Sequence, residues 1–184
     1  MKTREDACQL LNEWTKSPNL IKHSLAVEAA MRHYAKHFSE DVELWGMVGL
    51  LHDFDYEKYP SLDDHPYKGQ EILKEAGFAE VVRQGIMAHA PHTGTPRNTL
   101  MEKAIFAVDE LTGFIVGVAL TRPNKELAEV EVKSVKKKMK QKGFCAAVSR
   151  DDIRLGAEEL GLTLDEHIKH VLTAMQGVSD ELGL

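Results

Sequence analysis

The pair His52-Asp53 closes the apolar run Met47-Val48-Gly49-Leu50-Leu51. Two strong metal-ligand side chains therefore stand where a helix is still burying a face. Helical neighbours lie about 100° apart around the axis, so both side chains can turn toward one ion at a helix end. A buried imidazole beside a buried carboxylate needs partners, because an unpaired charge in a core is costly. The chain offers His23 upstream, and His65, His89 and Asp109 downstream.

Taken singly, each of these residues has an ordinary explanation. His23 lies four residues before Val27 on an apolar stripe, and Asp109 adjoins Val108 one turn after Ile105. A lone histidine on such a stripe is usually a hydrogen-bonded core residue, and a lone aspartate is a cap or an ion-pair partner. Asp109 falls mid-helix, which weakens the cap reading. As a set, His23, His52, Asp53 and Asp109 occupy or adjoin core-facing positions on three helices. One divalent cation solves the desolvation problem of all four. His65 and His89 fall at helix ends flanking the same region, and convergence of all six would suit two ions. Asp53, with two carboxylate oxygens, is then the natural bridge. Imidazole and carboxylate ligands without thiolate favour Fe, Mn, Zn, Ni or Co over Cu(I) or an iron–sulfur cluster. One or two divalent transition-metal ions are the expected cofactor.

Helices must position these residues. Apolar periodicity predicts helices over about 3–16, 20–38, 41–53, 65–77, 78–89, 99–118, 125–141, 149–160 and 163–180, with no strand alternation anywhere. Prolines fall mostly between these segments. Ser149-Arg150-Asp151-Asp152 and Thr163-Leu164-Asp165-Glu166 are start signals. The stretch from His89 to Pro96 cannot continue a helix and reads as an exposed loop. The expected fold class is all-α.

The order His23 … His52-Asp53 … Asp109 resembles the H…HD…D signature of the HD-domain superfamily, whose members are all-α and mostly phosphohydrolases. The resemblance covers about residues 20–125 and includes the helix end Leu50-Leu51-His52-Asp53. His65-Pro66-Tyr67-Lys68-Gly69-Gln70-Glu71-Ile72-Leu73 is similar to the HP..G..IL segment of members with a second metal, and His89 to the histidine ending their next helix. The resemblance implies one ion on His23, His52, Asp53 and Asp109, and another on Asp53, His65 and His89. It also implies one domain over 1–184, with helices from 125 to 180 packed on its core. Phe54-Asp55-Tyr56 replaces the Ile-Gly-Lys of the cyclic-di-GMP phosphodiesterase subgroup, so that substrate is not favoured.

Around this set, His92, Thr93 and Arg97 fall in the loop after His89, where loop residues could grip phosphate or move a proton. Lys68, one turn after His65, and Arg122, after the helix of Asp109, are further candidates to face substrate. For His92 and Lys68 a surface role is an equal reading, and for Arg97 and Arg122 it is the commoner one. The six lysines between Lys133 and Lys142 read as the solvated face of a helix that buries Val132, Val135 and Met139. His33, His37, His167 and His170 read as surface or packing residues.

The chain of 184 residues carries a formal charge of −6, which gives no reason to expect general nucleic-acid binding. The charged start lacks a secretory pattern, and no run is long enough for a bilayer. Cys8 and Cys145 form no zinc motif, and the simplest location is the cytoplasm. The expected function is a metal-dependent phosphohydrolase acting on a small phosphate ester or a nucleotide. Asp53 would orient the attacking water and His92 would assist. Two alternatives stand beside it: a mixed-valence di-iron oxygenase of the same superfamily, and a non-catalytic nucleotide-binding signalling module.

Overall fold

The computed structural model describes residues 2–184. Ten α-helices and two short 3-10 turns make up the regular structure, with no strand among the described residues. The helices are α1 (Arg4–Trp14), α2 (Pro18–Phe38), α3 (Val42–Leu51), α4 (Tyr67–Glu75), α5 (Glu80–His89), α6 (Leu100–Leu120), α7 (Val132–Met139), α8 (Arg150–Glu159), α9 (Leu164–Gln176) and α10 (Ser179–Leu182).

Local chemistry sets most of the starts. Thr3 with Asp6, Thr99 with Glu102 and Thr163 with Glu166 form capping boxes, and Asp41 and Ser149 accept the first amides of α3 and α8. Helix α4 begins at Tyr67 rather than at His65. Residues before it are held in turns, with the His65 amide donating to Ser61 O at 2.8 Å. Helix α7 is shorter than the pattern 125–141 suggests. Lys125 takes φ 60°, and the 3-10 turn Leu127–Glu129 follows, which lets both Leu127 and Val130 enter the core.

The two 21-residue helices α2 and α6 form the centre. Helix α3 is buried from Trp45 to Leu51, as expected for a helix apolar all round. It packs on α2 and is covered by α1 and α5, while α8 and α9 close over α6. The crossing of α6 and α8 is tight. A Cβ on Gly156 would lie 2.5 Å from Ala107 Cα, so only glycine allows this approach. None of the helices is long and apolar enough to cross a membrane.

Candidate metal centre

Helix α3 ends at Leu51 and carries His52 as its C-cap. The chain then turns, and wholly buried Phe54 plugs that turn into the core. The Thr15 hydroxyl donates to Phe54 O at 2.9 Å. This anchoring fixes His52, Asp53 and Asp55 relative to the junction of α1 and α2.

Two donor clusters result, one of His23, His52 and Asp109 and one of Asp53, His65 and His89. In the first, His23 Nε2 lies 3.0 Å from Asp109 Oδ1, His52 Nε2 lies 3.4 Å from the same oxygen, and the two Nε2 atoms are 3.2 Å apart. In the second, Asp53 Oδ1 lies 3.2 Å from His65 Nε2 and 3.4 Å from His89 Nε2, which are 3.2 Å from each other. The other oxygen of Asp53, Oδ2, turns toward the first cluster, 3.5 Å from His52 Nε2 and 3.9 Å from His23 Nε2. One carboxylate thus faces both groups.

Outer hydrogen bonds orient the rings. His52 Nδ1 donates to Gly49 O at 2.8 Å, His89 Nδ1 to Ile86 O at 2.5 Å, and His65 Nδ1 to Asp55 Oδ1 at 2.8 Å. With Nδ1 carrying the proton, the Nε2 lone pairs point at one another and at carboxylate oxygens. Such a convergence of acceptors repels itself unless a cation or protons sit among them. The donor set therefore fits divalent metal.

Titration behaviour shows the same tension. Burial would lower the His52 pKa, but the carboxylates of Asp53 and Asp109 overrule it and hold it up at about 9. His65 is likewise pushed down by burial and raised to about 9 by bonds to Asp53 and Asp55. Burial works against ionised Asp53, yet the neighbouring His52 charge and bonds from His65 and His89 hold it well below the usual range. Asp109 is lowered too: burial opposes ionisation, and His52 and His23 outweigh it. Glu110 moves the other way. Burial, and then the Asp109 charge, raise it to about 7.

The clusters open into a cavity of about 390 Å³, walled also by Tyr56, Leu62, His92, Phe106, Glu110 and Asp152. All six residues read from the sequence as ligands come together here. His92 also lines the cavity, with Nε2 donating to His65 O at 2.8 Å.

The remaining candidates are not brought to the cavity. The Thr93 hydroxyl turns back on the end of α5, toward Met87 O and Ala90 O. Arg97 makes a two-pronged pair with Glu159 at 2.6 and 2.7 Å and lies 3.8 Å over the Phe106 ring. It supports a wall from behind. Lys68 is exposed and lies 3.6 Å from Glu71. Arg122 follows the far end of α6, about 20 Å along the axis from Asp109 at 1.5 Å per residue. Sequence reasoning passed over Asp55, which is 1 % exposed and accepts from both His65 and the Gly69 amide. The available signal was Gly69, four residues after His65. A Cβ there would fall 2.8 Å from Asp55 Oδ2.

A family model for the HD domain matches residues 20–114, from before His23 to beyond Asp109. The chain belongs to the HD domain family. This HD protein is 29% identical over 126 residues to a ribonuclease Y of Nitratidesulfovibrio vulgaris (strain DP4), an alignment covering 68% of this chain and 23% of that protein. The HD protein thus spans about a quarter of the length of that relative. It is also 39% identical over 69 residues to an uncharacterised protein of Methanocaldococcus jannaschii, covering 35% of this chain and 40% of the other. No solved structure matches it significantly.

Proposed function

We propose that this HD protein is a metal-dependent phosphohydrolase acting on a small phosphate ester. The observation carrying the reading is Asp53, whose two oxygens face two separate histidine clusters. His23, His52 and Asp109 would hold one divalent ion and His65 and His89 the other, with Asp53 between them. When bound, such ions supply Lewis acidity toward phosphate oxygens and a water nucleophilic at neutral pH. Family membership and the resemblance to a protein named ribonuclease Y support phosphoester chemistry.

The chain's own groups have distinct tasks. Asp55, Gly49 O and Ile86 O hold the three rings in the tautomer that leaves Nε2 free. Glu110, on the cavity wall one residue from Asp109, is placed to carry a proton to a leaving oxygen. His92 spends Nε2 on the backbone and keeps Nδ1 for substrate. Among the described residues no Lys or Arg lines the cavity, so phosphate has no fixed side-chain ammonium or guanidinium to grip and its binding would depend on metal.

That missing cation also favours a second reading, the mixed-valence di-iron oxygenase, which needs no phosphate clamp. The deciding experiment loads the protein separately with Mn, Zn and Fe and assays phosphate release with and without oxygen. Hydrolysis predicts turnover under anaerobic conditions with a redox-silent metal, and loss of inorganic phosphate binding after chelation. Strict dependence on iron and O₂, with no phosphate release under any metal, overturns the proposal.

A further inference from the structure

Glycine is among the poorest helix formers, and one inside a long helix calls for a reason. Helix α6 has two. Gly117 has a packing reason, since a Cβ there would meet Cys145 Sγ at 2.5 Å. Gly113 has none within the protein, because its Cβ would meet no atom within 4 Å. It stands one turn beyond Asp109, on the wall of the metal cavity.

Gly113 also walls a second cavity, of about 420 Å³, and the two cavities share His23 and Gly113. The second lobe continues along α6 over Val116 and Leu120, with Leu182 opposite and Asn19 and Lys22 on the α2 side. Leu120 is left 51% exposed by the protein's own packing. Apart from His23, the walls carry no aromatic ring on which a base could stack. The space that Gly113 keeps open is the passage between the metal clusters and an aliphatic lobe.

We propose that the second lobe is the subsite for the organic part of the substrate, and that this part is an extended aliphatic chain rather than a nucleoside. The inference rests on the phosphohydrolase reading for the head group at the metal clusters. The phosphate sits in the first lobe, the chain crosses Gly113, and its methylenes leave water against Val116 and Leu120. A side chain at position 113 closes the passage without touching the protein core.

The test uses the full metal-loaded chain and a series of n-alkylphosphonates from methyl to octyl, which have no ester bond to cleave. Calorimetric titration gives a Kd for each. Affinity should rise about two- to fourfold per methylene over the first members. In Gly113→Leu the octyl-to-methyl affinity ratio should fall close to one, with Gly113→Ala between. Both variants should melt no lower than the wild type, since each replaces a helical glycine pointing into open space. A flat series in the wild type, or an undiminished slope in Gly113→Leu, overturns the proposal. So does adenosine monophosphate binding more tightly than octylphosphonate. A steep series in a protein that hydrolyses no ester refutes the hydrolase reading and supports the aliphatic lobe. Ester hydrolysis with a flat series does the reverse.

Discussion

His167 should make the protein acid-sensitive through a single buried ring. It is 0% exposed on α9, Nε2 lies 2.9 Å from Ala107 O, and Nδ1 lies 2.6 Å from the Tyr34 hydroxyl. Nε2 donates to the carbonyl and Tyr34 donates to Nδ1, so the ring is neutral. Burial pushes its pKa down from 6.5 to about 4. Below pH 6.5 the unfolded chain takes up a proton that the folded ring refuses until about pH 4. Stability is therefore lost as pH falls through that window. About 2.5 units at about 1.4 kcal/mol each give roughly 3 kcal/mol. Glu110 opposes this, because burial raises it from 4.5 to about 7, and the folded state gains stability as it keeps a proton over nearly the same range. The wild-type profile alone hides both effects, whereas the difference from His167→Gln isolates one. Urea unfolding at pH 7.5, 6.5, 5.5 and 4.5 should show the variant less stable at the top by about 1–2 kcal/mol. Its deficit should shrink with acidification and reverse near pH 5. A deficit equal at pH 7.5 and 4.5 would refute a neutral His167.

Three further outcomes are expected. Asp53→Ala should lose both ions and His65→Ala mainly one by elemental analysis, and a full complement in the Asp53 variant would sink the bridging arrangement. Metal uptake at pH 7.5 should release about two protons per chain, because His52 and His65 are held up at about 9 without metal. Calorimetry in buffers of different ionisation heat measures this, and no release would contradict the protonated clusters. Gly156→Ala should cost about 1–3 kcal/mol by overpacking against Ala107, a fall of several degrees in Tm; an unchanged Tm would show that α6 and α8 can part freely.

The convergence of the six residues was legible because their types are anomalous where they stand. Imidazole and carboxylate on apolar stripes announce a shared partner, and periodicity gave the helices that carry His23, His89 and Asp109, while Asp53 and His65 stand in turns just outside theirs. Loop candidates carry no such anomaly. Whether Arg97 faces substrate depends on Glu159, 62 residues away, and no local pattern encodes that pairing. Thr93 reads like any polar loop residue until the end of α5 supplies the carbonyls it bonds. Asp55 was hidden in the opposite way: its environment is made by Gly69 and His65, so it looks like a solvated turn residue. The histidines of α9 fell between these cases. His170 contacts His33 at 2.9 Å near the surface, while His167, one turn away, is buried by Tyr34 and α6.

The two clusters differ in how the chain reaches them. His23 and Asp109 are 86 residues apart, on the helices at the centre of the fold, whereas His65 and His89 are separated by only 24. An ion in the first cluster would tie α2 to α6, so its ligands part only if the centre of the fold loosens. An ion in the second would be tied, through His65 and His89, to one local excursion of the chain, residues 56–90, which can open while His52 and Asp53 stay anchored by buried Phe54. The pair of ions should therefore exchange on two timescales. During brief chelation the protein should pass through a folded, half-loaded form that keeps its central ion.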